Sequence, residues 1–134
     1  MKIIADHRAP YHEAGHALVA KKLGIRLLGV GFVEGRPGKL GTGVVNESDK
    51  ENPIFCAGGM AAEEILFDAY EPEGSVTDRA AILKTGASVD DSITTARRLL
   101  NRDEILFVGK RIESFALEYD AGYIPESELL KESA

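Results

Sequence analysis

The chain has 134 residues, with 16 Lys and Arg against 22 Asp and Glu, so its length predicts one domain over residues 1–134 and its formal net charge is -6. This acidic balance argues against binding to nucleic acid or to an anionic membrane, because both need clustered Lys and Arg. One cysteine, no apolar run of about 18 residues and no secretory signal argue against a disulfide framework and a membrane span, so we expect a cytoplasmic location.

The first part of the chain predicts a helix followed by a β-hairpin. Pro10 suits the first turn of a helix, and apolar residues recur at three- and four-residue intervals from there to Leu23, before Gly24 ends the pattern. Residues 25–33 and 40–45 are glycine-punctuated, β-branched segments joined by turn-forming residues. They therefore predict two paired strands.

Helices dominate the remainder of the prediction. Pro53 opens a helical pattern that continues to Phe67, and the Gly58-Gly59 pair in its middle predicts that another backbone packs closely there. Further helices are expected over residues 77–84, 92–101 and 104–119.

The predicted fold class is α+β and predominantly helical, with a small β-hairpin or sheet and a helical C-terminal half. Asp90 or Asp91 is expected to cap the helix over 92–101. The helix over 104–119 suits either core packing or a subunit interface, so the oligomeric state stays open. From about residue 120 the chain is acidic, and this tail is expected to fray.

The chemistry is concentrated in the first predicted helix, which carries His12-Glu13-Ala14-Gly15-His16. Positions i and i+4 lie on the same face of a helix, so both imidazoles can bind one Zn²⁺. Glu13 is offset from that face, which leaves its carboxylate able to reach a metal-bound water as a general base. The alternative is that two histidines share this spacing by chance on an ordinary helix.

A catalytic zinc needs three protein ligands and an open position, so one further ligand must come from elsewhere. The candidates are His7, Glu63, Glu64, Asp78, Asp90 and Asp91. His7 is expected to precede the helix and to be exposed. One of the two glutamates can be solvated while the other orients a ligating histidine, and the aspartates can equally act as helix caps.

Three segments, taken together, resemble the peptidase domain of the FtsH-type zinc proteases. They read YHEAGHALV over residues 11–19, GTG over 41–43 and GGMAAEEIL over 58–66, and their order and separations match that family over roughly residues 8–100. One departure is Met60, which stands where the family has an arginine after its paired glycines.

The resemblance implies a zinc metalloendopeptidase with a zincin-like fold. It implies that Zn²⁺ is bound by His12, His16 and a downstream aspartate. It also implies that Glu13 takes a proton from the metal-activated water and passes it to the leaving amine.

Two segments resemble the part of the family that supplies the aspartate ligand. One ends in Asp78 and the other in Asp90. Asp78 is preferred, because the stretch from Ile65 to Asp78 has the length that the family uses, whereas Asp90 requires an extra short helix.

Family members are fused to membrane helices and to an ATPase, and the sequence shows neither a span nor a G-x-x-x-x-G-K-[ST] phosphate loop. We therefore expect a small stand-alone relative that acts on peptides or proteins independently of ATP, with a separate ATPase or adaptor as a candidate partner. Residues 40–45 are either an edge strand to which an extended substrate adds or a plain hairpin partner.

Two other functions stay open. One is a zinc-binding regulatory or interaction module of the same fold with little turnover, and the other is a structural domain whose motif is incidental. Between Glu47 and Asp78 the only basic residue is Lys50, set against nine acidic residues. This imbalance predicts a negative rim around the metal and favours basic or neutral peptides as substrates.

Overall fold

Six helices and three strands follow one another along the part of the chain that the computed structural model describes, namely Ile4, residues 6–118 and residues 123–131. The helices are α1 (Ala9–Leu23), α2 (Pro53–Phe67), α3 (Val76–Lys84), α4 (Val89–Leu99), α5 (Arg102–Glu118) and α6 (Glu126–Leu129). The strands are β1 (Leu27–Phe32), β2 (Leu40–Val44) and β3 (Tyr123–Ile124). The fold class is α+β and predominantly helical, as predicted.

The first helix, α1, begins and ends close to where the sequence predicts. Pro10 lies in its first turn, and Gly24 ends it in the left-handed conformation with a φ of 74°. The residues from His12 to Ala20 are all buried, because α2, α5 and the sheet pack around the helix. α1 is therefore a central helix rather than a surface helix with one apolar stripe.

The packing of α1 on α2 depends on glycines that face each other. A Cβ atom at Gly15 would lie 2.1 Å from the backbone oxygen of Gly58, and one at Gly58 would lie 2.8 Å from the backbone oxygen of Gly15. Only glycine allows two backbones to approach so closely. The neighbouring Gly59 makes room for the His12 ring, whose Nε2 would lie 2.3 Å from an added Cβ. The close approach predicted from the glycine pair is confirmed.

The predicted hairpin is confirmed, and it belongs to a three-stranded antiparallel sheet with the order β2-β1-β3. Leu27 pairs with Val44 and Phe32 pairs with Leu40 across the hairpin. Val30 and Leu40 are buried in the core that the sheet forms with α1 and α5. Within the described residues, β2 has a strand on one side only, so its other edge is open to further pairing.

The cap of α4 corrects a prediction. The helix begins at Val89, and Ser88 caps it by accepting a hydrogen bond on Oγ from the Asp91 backbone N–H at 3.2 Å. Serine is among the best N-cap residues, because its short side chain reaches an N–H group of the first turn. Asp90 and Asp91 lie inside the first turn, where their charge interacts favourably with the helix dipole.

Residues 123–131 differ from the frayed tail expected beyond about residue 120. Ile124 pairs with Val30 of β1, and both Ile124 and Leu129 are buried in the main core. The acidic composition of the segment conceals these two apolar anchors, which is why the sequence suggested fraying. The expected end of the last long helix, at Tyr119, lies outside the described residues. No helix in the described ranges is long and apolar enough to cross a membrane.

Substitution of Gly15 by alanine is expected to destabilise the fold. The methyl group would gain about 1 kcal/mol of helix propensity, but it would meet a backbone oxygen that cannot move aside as a flexible side chain can. Overpacking of this kind costs about 2–3 kcal/mol, so we expect a net loss of about 1–2 kcal/mol in the free energy of unfolding. Urea denaturation measures this loss. Gly74→Ala is the control, since the nearest atom to its Cβ would be 4.0 Å away. Equal stability of the two variants would contradict the close helix contact.

Candidate metal centre

Three side-chain atoms from two helices converge at one point. His12 Nε2 lies 2.9 Å from Asp78 Oδ2, and His16 Nε2 lies 3.2 Å from the same oxygen. The two Nε2 atoms are 3.2 Å apart. Among the described residues, this is the group of His, Cys, Asp and Glu side chains that can hold a metal ion. It joins the two motif histidines to the aspartate that the sequence analysis preferred.

The course of the backbone explains this convergence. His12 and His16 lie one turn apart on α1, so their rings project from the same face. The chain leaves α2 at Asp68 in the left-handed conformation, with a φ of 69°. It then passes through a short 3₁₀ turn at Glu73–Ser75 into α3. Asp78 lies in the first turn of α3, which brings its carboxylate onto both histidines.

The spacing of the three atoms fits a tetrahedral ion. Zn²⁺ binds histidine nitrogen and carboxylate oxygen at about 2.0–2.2 Å, and tetrahedral ligands at such bond lengths lie about 3.3–3.5 Å apart. The observed separations of 2.9 Å and 3.2 Å are a few tenths of an ångström shorter. Small outward movements of the side chains would therefore accommodate the ion.

Helix α2 holds the second ring nitrogen of each histidine. His12 Nδ1 donates a hydrogen bond to Glu63 Oε2 at 2.6 Å, and His16 Nδ1 donates to the backbone oxygen of Phe55 at 2.8 Å. Both partners are acceptors only, so each Nδ1 carries a proton and each Nε2 is left to bind a metal. The packing of α1 on α2 thus selects the ring orientation and the tautomer of both histidines.

Glu63 is itself held by the start of the chain and by the loop after α2. Its Oε1 accepts a hydrogen bond from the Glu71 backbone N–H at 3.2 Å and lies 3.4 Å from Arg8 Nη1. Arg8 also donates to the Ala69 backbone oxygen at 2.9 Å and lies 4.5 Å over the Phe67 ring. A buried carboxylate is costly unless it is paired, so Arg8 compensates the charge of Glu63 beneath the site.

Charge pairing perturbs the protonation of all three converging side chains. Burial disfavours the charged form of His12, but hydrogen bonds to Asp78 and Glu63 outweigh it and raise the pKa of His12 to about 10. Burial lowers the pKa of His16, but the charge of Asp78, its hydrogen bond and the charge of Glu13 together outweigh burial and raise the pKa. Burial alone would raise the pKa of Asp78, yet the charge of His16 and the hydrogen bonds from both histidines lower it. The group therefore favours positive charge, which a metal ion supplies when it displaces the protons.

Glu13 lies beside this group and borders an open cleft. Its side chain is buried, and its Oε1 accepts a hydrogen bond from Thr42 Oγ1 of β2 at 2.9 Å. The cleft has a volume of about 350 Å³ and lies between β2 and α3. Its floor includes His12, Glu13, His16 and Asp78. The general base predicted from the motif thus opens onto the same space as the three converging atoms.

Cys56 lines the same cleft, but it is not activated as a nucleophile. Its thiol donates a hydrogen bond to the Lys50 backbone oxygen at 3.0 Å. Burial, followed by the negative charge of Asp78, raises the pKa of the thiol to about 11. The thiol therefore stays protonated at neutral pH, in contrast to the lowered pKa of reactive cysteines.

The other sequence candidates for a third ligand lie away from the converging atoms. His7 is exposed, as expected. Glu64 forms an ion pair with Arg97 at 3.0 Å instead of facing the histidines. Asp90 and Asp91 are exposed in the first turn of α4. Of the two glutamates, Glu63 is the one that holds a histidine, through its hydrogen bond with His12, as expected for one member of the pair.

Sequence reasoning missed three groups that support the site, namely Thr42, Arg8 and the backbone oxygen of Phe55. The GTG segment indicated that residues 41–43 matter, but nothing in it shows that Thr42 reaches Glu13 across 29 positions of the chain. A backbone oxygen leaves no signal in the sequence. The only signal for Arg8 is indirect: a buried glutamate such as Glu63 needs a cation to offset its charge.

Comparisons of the chain with family models, with curated proteins and with solved structures find no match. The resemblance to the FtsH-type proteases therefore stays a prediction from three short segments.

Asp78→Ala is expected to abolish stoichiometric zinc binding, while Asp90→Ala should retain it. The first substitution removes one of three ligand atoms, so the affinity should fall by more than the roughly 10–100-fold typical of losing an outer hydrogen-bond partner. Metal analysis after dialysis and competition with a chromogenic chelator measure both variants. Retention of zinc by Asp78→Ala and its loss from Asp90→Ala would overturn the ligand assignment.

Glu63→Gln is expected to weaken zinc binding by about 10–100-fold, because the His12 ring would lose its charged hydrogen-bond acceptor. Glu64→Gln is the matched control, since its carboxylate pairs with Arg97 and faces away from the histidines. Chelator competition gives both dissociation constants. A similar effect of the two substitutions would contradict a specific role of Glu63 in orienting His12.

Proposed function

We propose that this protein is a zinc-dependent metalloendopeptidase that hydrolyses peptide bonds. One observation carries the proposal: three converging ligand atoms and the buried carboxylate of Glu13 border the same open cleft. A hydrolytic zinc site needs three protein ligands, an open coordination position and a nearby general base. His12, His16, Asp78 and Glu13 match these requirements in number, type and spacing.

The donor set alone fits two metals. Two imidazoles and one carboxylate occur in zinc hydrolases and also in non-haem iron(II) oxygenases. Glu13 favours zinc hydrolysis, because a carboxylate fixed by Thr42 beside the ligands is the general base that hydrolysis needs.

Each residue around the site would then have a separate role in peptide hydrolysis. When bound, Zn²⁺ supplies Lewis-acid chemistry, polarising the scissile carbonyl and making a water molecule more acidic. Glu13 accepts a proton from the attacking water and delivers it to the leaving amine. Thr42 holds one oxygen of that carboxylate, which leaves the other free to take the proton. Glu63 and the Phe55 backbone oxygen keep the rings of the histidine ligands in place.

The edge of β2 supports binding of an extended substrate. Leu40, Gly41 and Thr42 line the cleft, and this strand has its second edge open within the described residues. A peptide that adds to such an edge is bound through its backbone, which tolerates varied side chains. Flexible peptides and unfolded segments are the substrates that this mode favours. A folded substrate would need a separate ATPase or adaptor to present it.

A zinc-binding regulatory module with little turnover is the second candidate. One observation favours it: Ile82 is the buried residue of α3, whose remaining described side chains are at least partly exposed. An ion shared by α1 and α3 would then contribute much of the stability of α3. In this alternative the metal has a structural role, and Glu13 is not needed as a base.

Glu13→Gln is expected to keep zinc and to lose cleavage of an unfolded, casein-like substrate. Loss of a general base typically lowers the rate by about 10²–10⁴-fold. The rates are measured by release of fluorescent fragments, and the zinc content is determined on the same samples.

Asp103→Asn serves as the control, since it removes an exposed carboxylate at the start of α5. It should cleave at the rate of the unsubstituted protein. Equal activity of Glu13→Gln and the unsubstituted protein would reject Glu13 as the base. If Glu13→Gln and the unsubstituted protein both bind zinc and neither cleaves the substrate, the result would support the regulatory module.

A further inference from the structure

Part of the lining of the cleft is a cationic wall. It includes Arg36 and Lys39 from the loop between β1 and β2, and Lys50 from the 3₁₀ turn that follows β2. Apart from Glu13 and the ligand Asp78, the carboxylate among the described lining residues is Glu73. Once a dication offsets Glu13 and Asp78, the lining has two more positive than negative charges. A chain with a net charge of -6 thus presents a positive surface to its substrate.

Two of these cations are free to bind a ligand. Arg36 and Lys39 are exposed, and neither forms an ion pair or a side-chain hydrogen bond with the described part of the chain. Lys50 differs from these two residues, because its ammonium group forms an ion pair with Glu47 at 3.1 Å. The positive potential at the cleft therefore depends mainly on the two residues of the hairpin loop.

The hairpin loop is folded tightly, which keeps its two cations at the cleft. The Val33 backbone N–H donates to the Lys39 oxygen at 2.8 Å, and the Lys39 N–H donates to the Arg36 oxygen at 3.1 Å. Gly35 and Gly38 have φ values of 77° and 78°, the left-handed region that glycine adopts without strain. The loop is thus a defined part of the cleft wall.

The negative rim predicted from residues 47–78 is wrong for this cleft. Of the nine acidic residues in that stretch, only Glu73 and Asp78 line it. Glu63 is buried beneath His12, and Glu64 is paired on another face of α2. The two unpaired cations of the cleft come from the hairpin loop, which lies outside this stretch of the sequence.

A second, smaller cavity adjoins the cleft and has a different charge. It has a volume of about 220 Å³ and shares His12, Glu13 and Lys39 with the cleft. Its own cation, Arg8, is neutralised by Glu63 at 3.4 Å and by Glu71 at 3.6 Å. A peptide that crosses the site would therefore meet unpaired positive charge on the side of the larger cleft.

We infer that Arg36 and Lys39 of this wall form a subsite for carboxylate groups, so that the preferred substrates are acidic peptides. The inference rests on the proposed peptidase function and names its substrate class. A cleft lined by one sign of charge concentrates ligands of the opposite sign and accelerates their association. The carboxylate can belong to an Asp or Glu side chain or to a free C-terminus.

Binding to the Glu13→Gln protein loaded with zinc tests the subsite without relying on turnover. Four labelled peptides of equal length are compared by fluorescence anisotropy: one with two Glu, one with two Lys, one neutral with blocked ends, and one neutral with a free C-terminus. At an ionic strength of about 0.01 M the Glu peptide should bind about tenfold more tightly than the blocked neutral peptide, and about 1 M salt should remove the difference. Tight binding of the neutral peptide with a free C-terminus would show that the subsite recognises a chain end; tight binding of the Glu peptide alone would show that it recognises side chains.

Matched charge variants locate the effect. Arg36→Gln combined with Lys39→Gln should abolish the preference, whereas Arg98→Gln combined with Lys110→Gln changes the net charge equally at exposed positions outside the cleft and should preserve it. No preference for the Glu peptide at low salt, or equal losses in the two double variants, would overturn the inference. Failure of the unsubstituted protein to cleave any peptide would count against the proposed function instead, since binding is read separately.

Discussion

The close contact between Gly15 of α1 and Gly58 of α2 is the constraint on which the rest of the site depends. Because neither residue has a side chain, the two helices approach until backbone meets backbone. At that distance α2 supplies an acceptor to each motif histidine, through the Glu63 carboxylate and the Phe55 backbone oxygen. Gly59 leaves the space that the His12 ring occupies. The glycines make no contact with an ion themselves, but the helix packing that they permit determines which ring nitrogen of each histidine is free to bind one.

Much of this arrangement could be predicted because it is local in the sequence. Helix α1, its end at Gly24 and the spacing of the two histidines follow from periodicity and from the backbone preferences of proline and glycine. The choice of Asp78 over Asp90 came from a resemblance, and the structure brings Asp78 to the histidines. The contact of Thr42 with Glu13 could not be predicted, because it depends on how the hairpin packs on α1. The same holds for β3, whose place in the sheet depends on the burial of Ile124.

The electrostatics of the molecule show why net charge is a poor guide to a binding surface. Carboxylates outnumber cations in the sequence, yet two of those near the site are already paired: Glu63 with His12 and Arg8 in the interior, and Glu64 with Arg97 at the surface. Side-chain partners of this kind remove charge from the surface that a substrate meets. Two unpaired cations on one short loop can then determine the sign of the potential at a cleft.

The central claim is that two imidazoles and one carboxylate bind zinc at the floor of this cleft. X-ray absorption spectroscopy at the zinc edge of the metal-loaded protein tests it most directly, because Cys56 lines the same cleft and offers a competing donor. The account predicts four nitrogen or oxygen neighbours at about 2.0–2.2 Å, with the outer-shell pattern of two imidazole rings. A sulfur neighbour at about 2.3 Å, or a spectrum without the imidazole pattern, would contradict it.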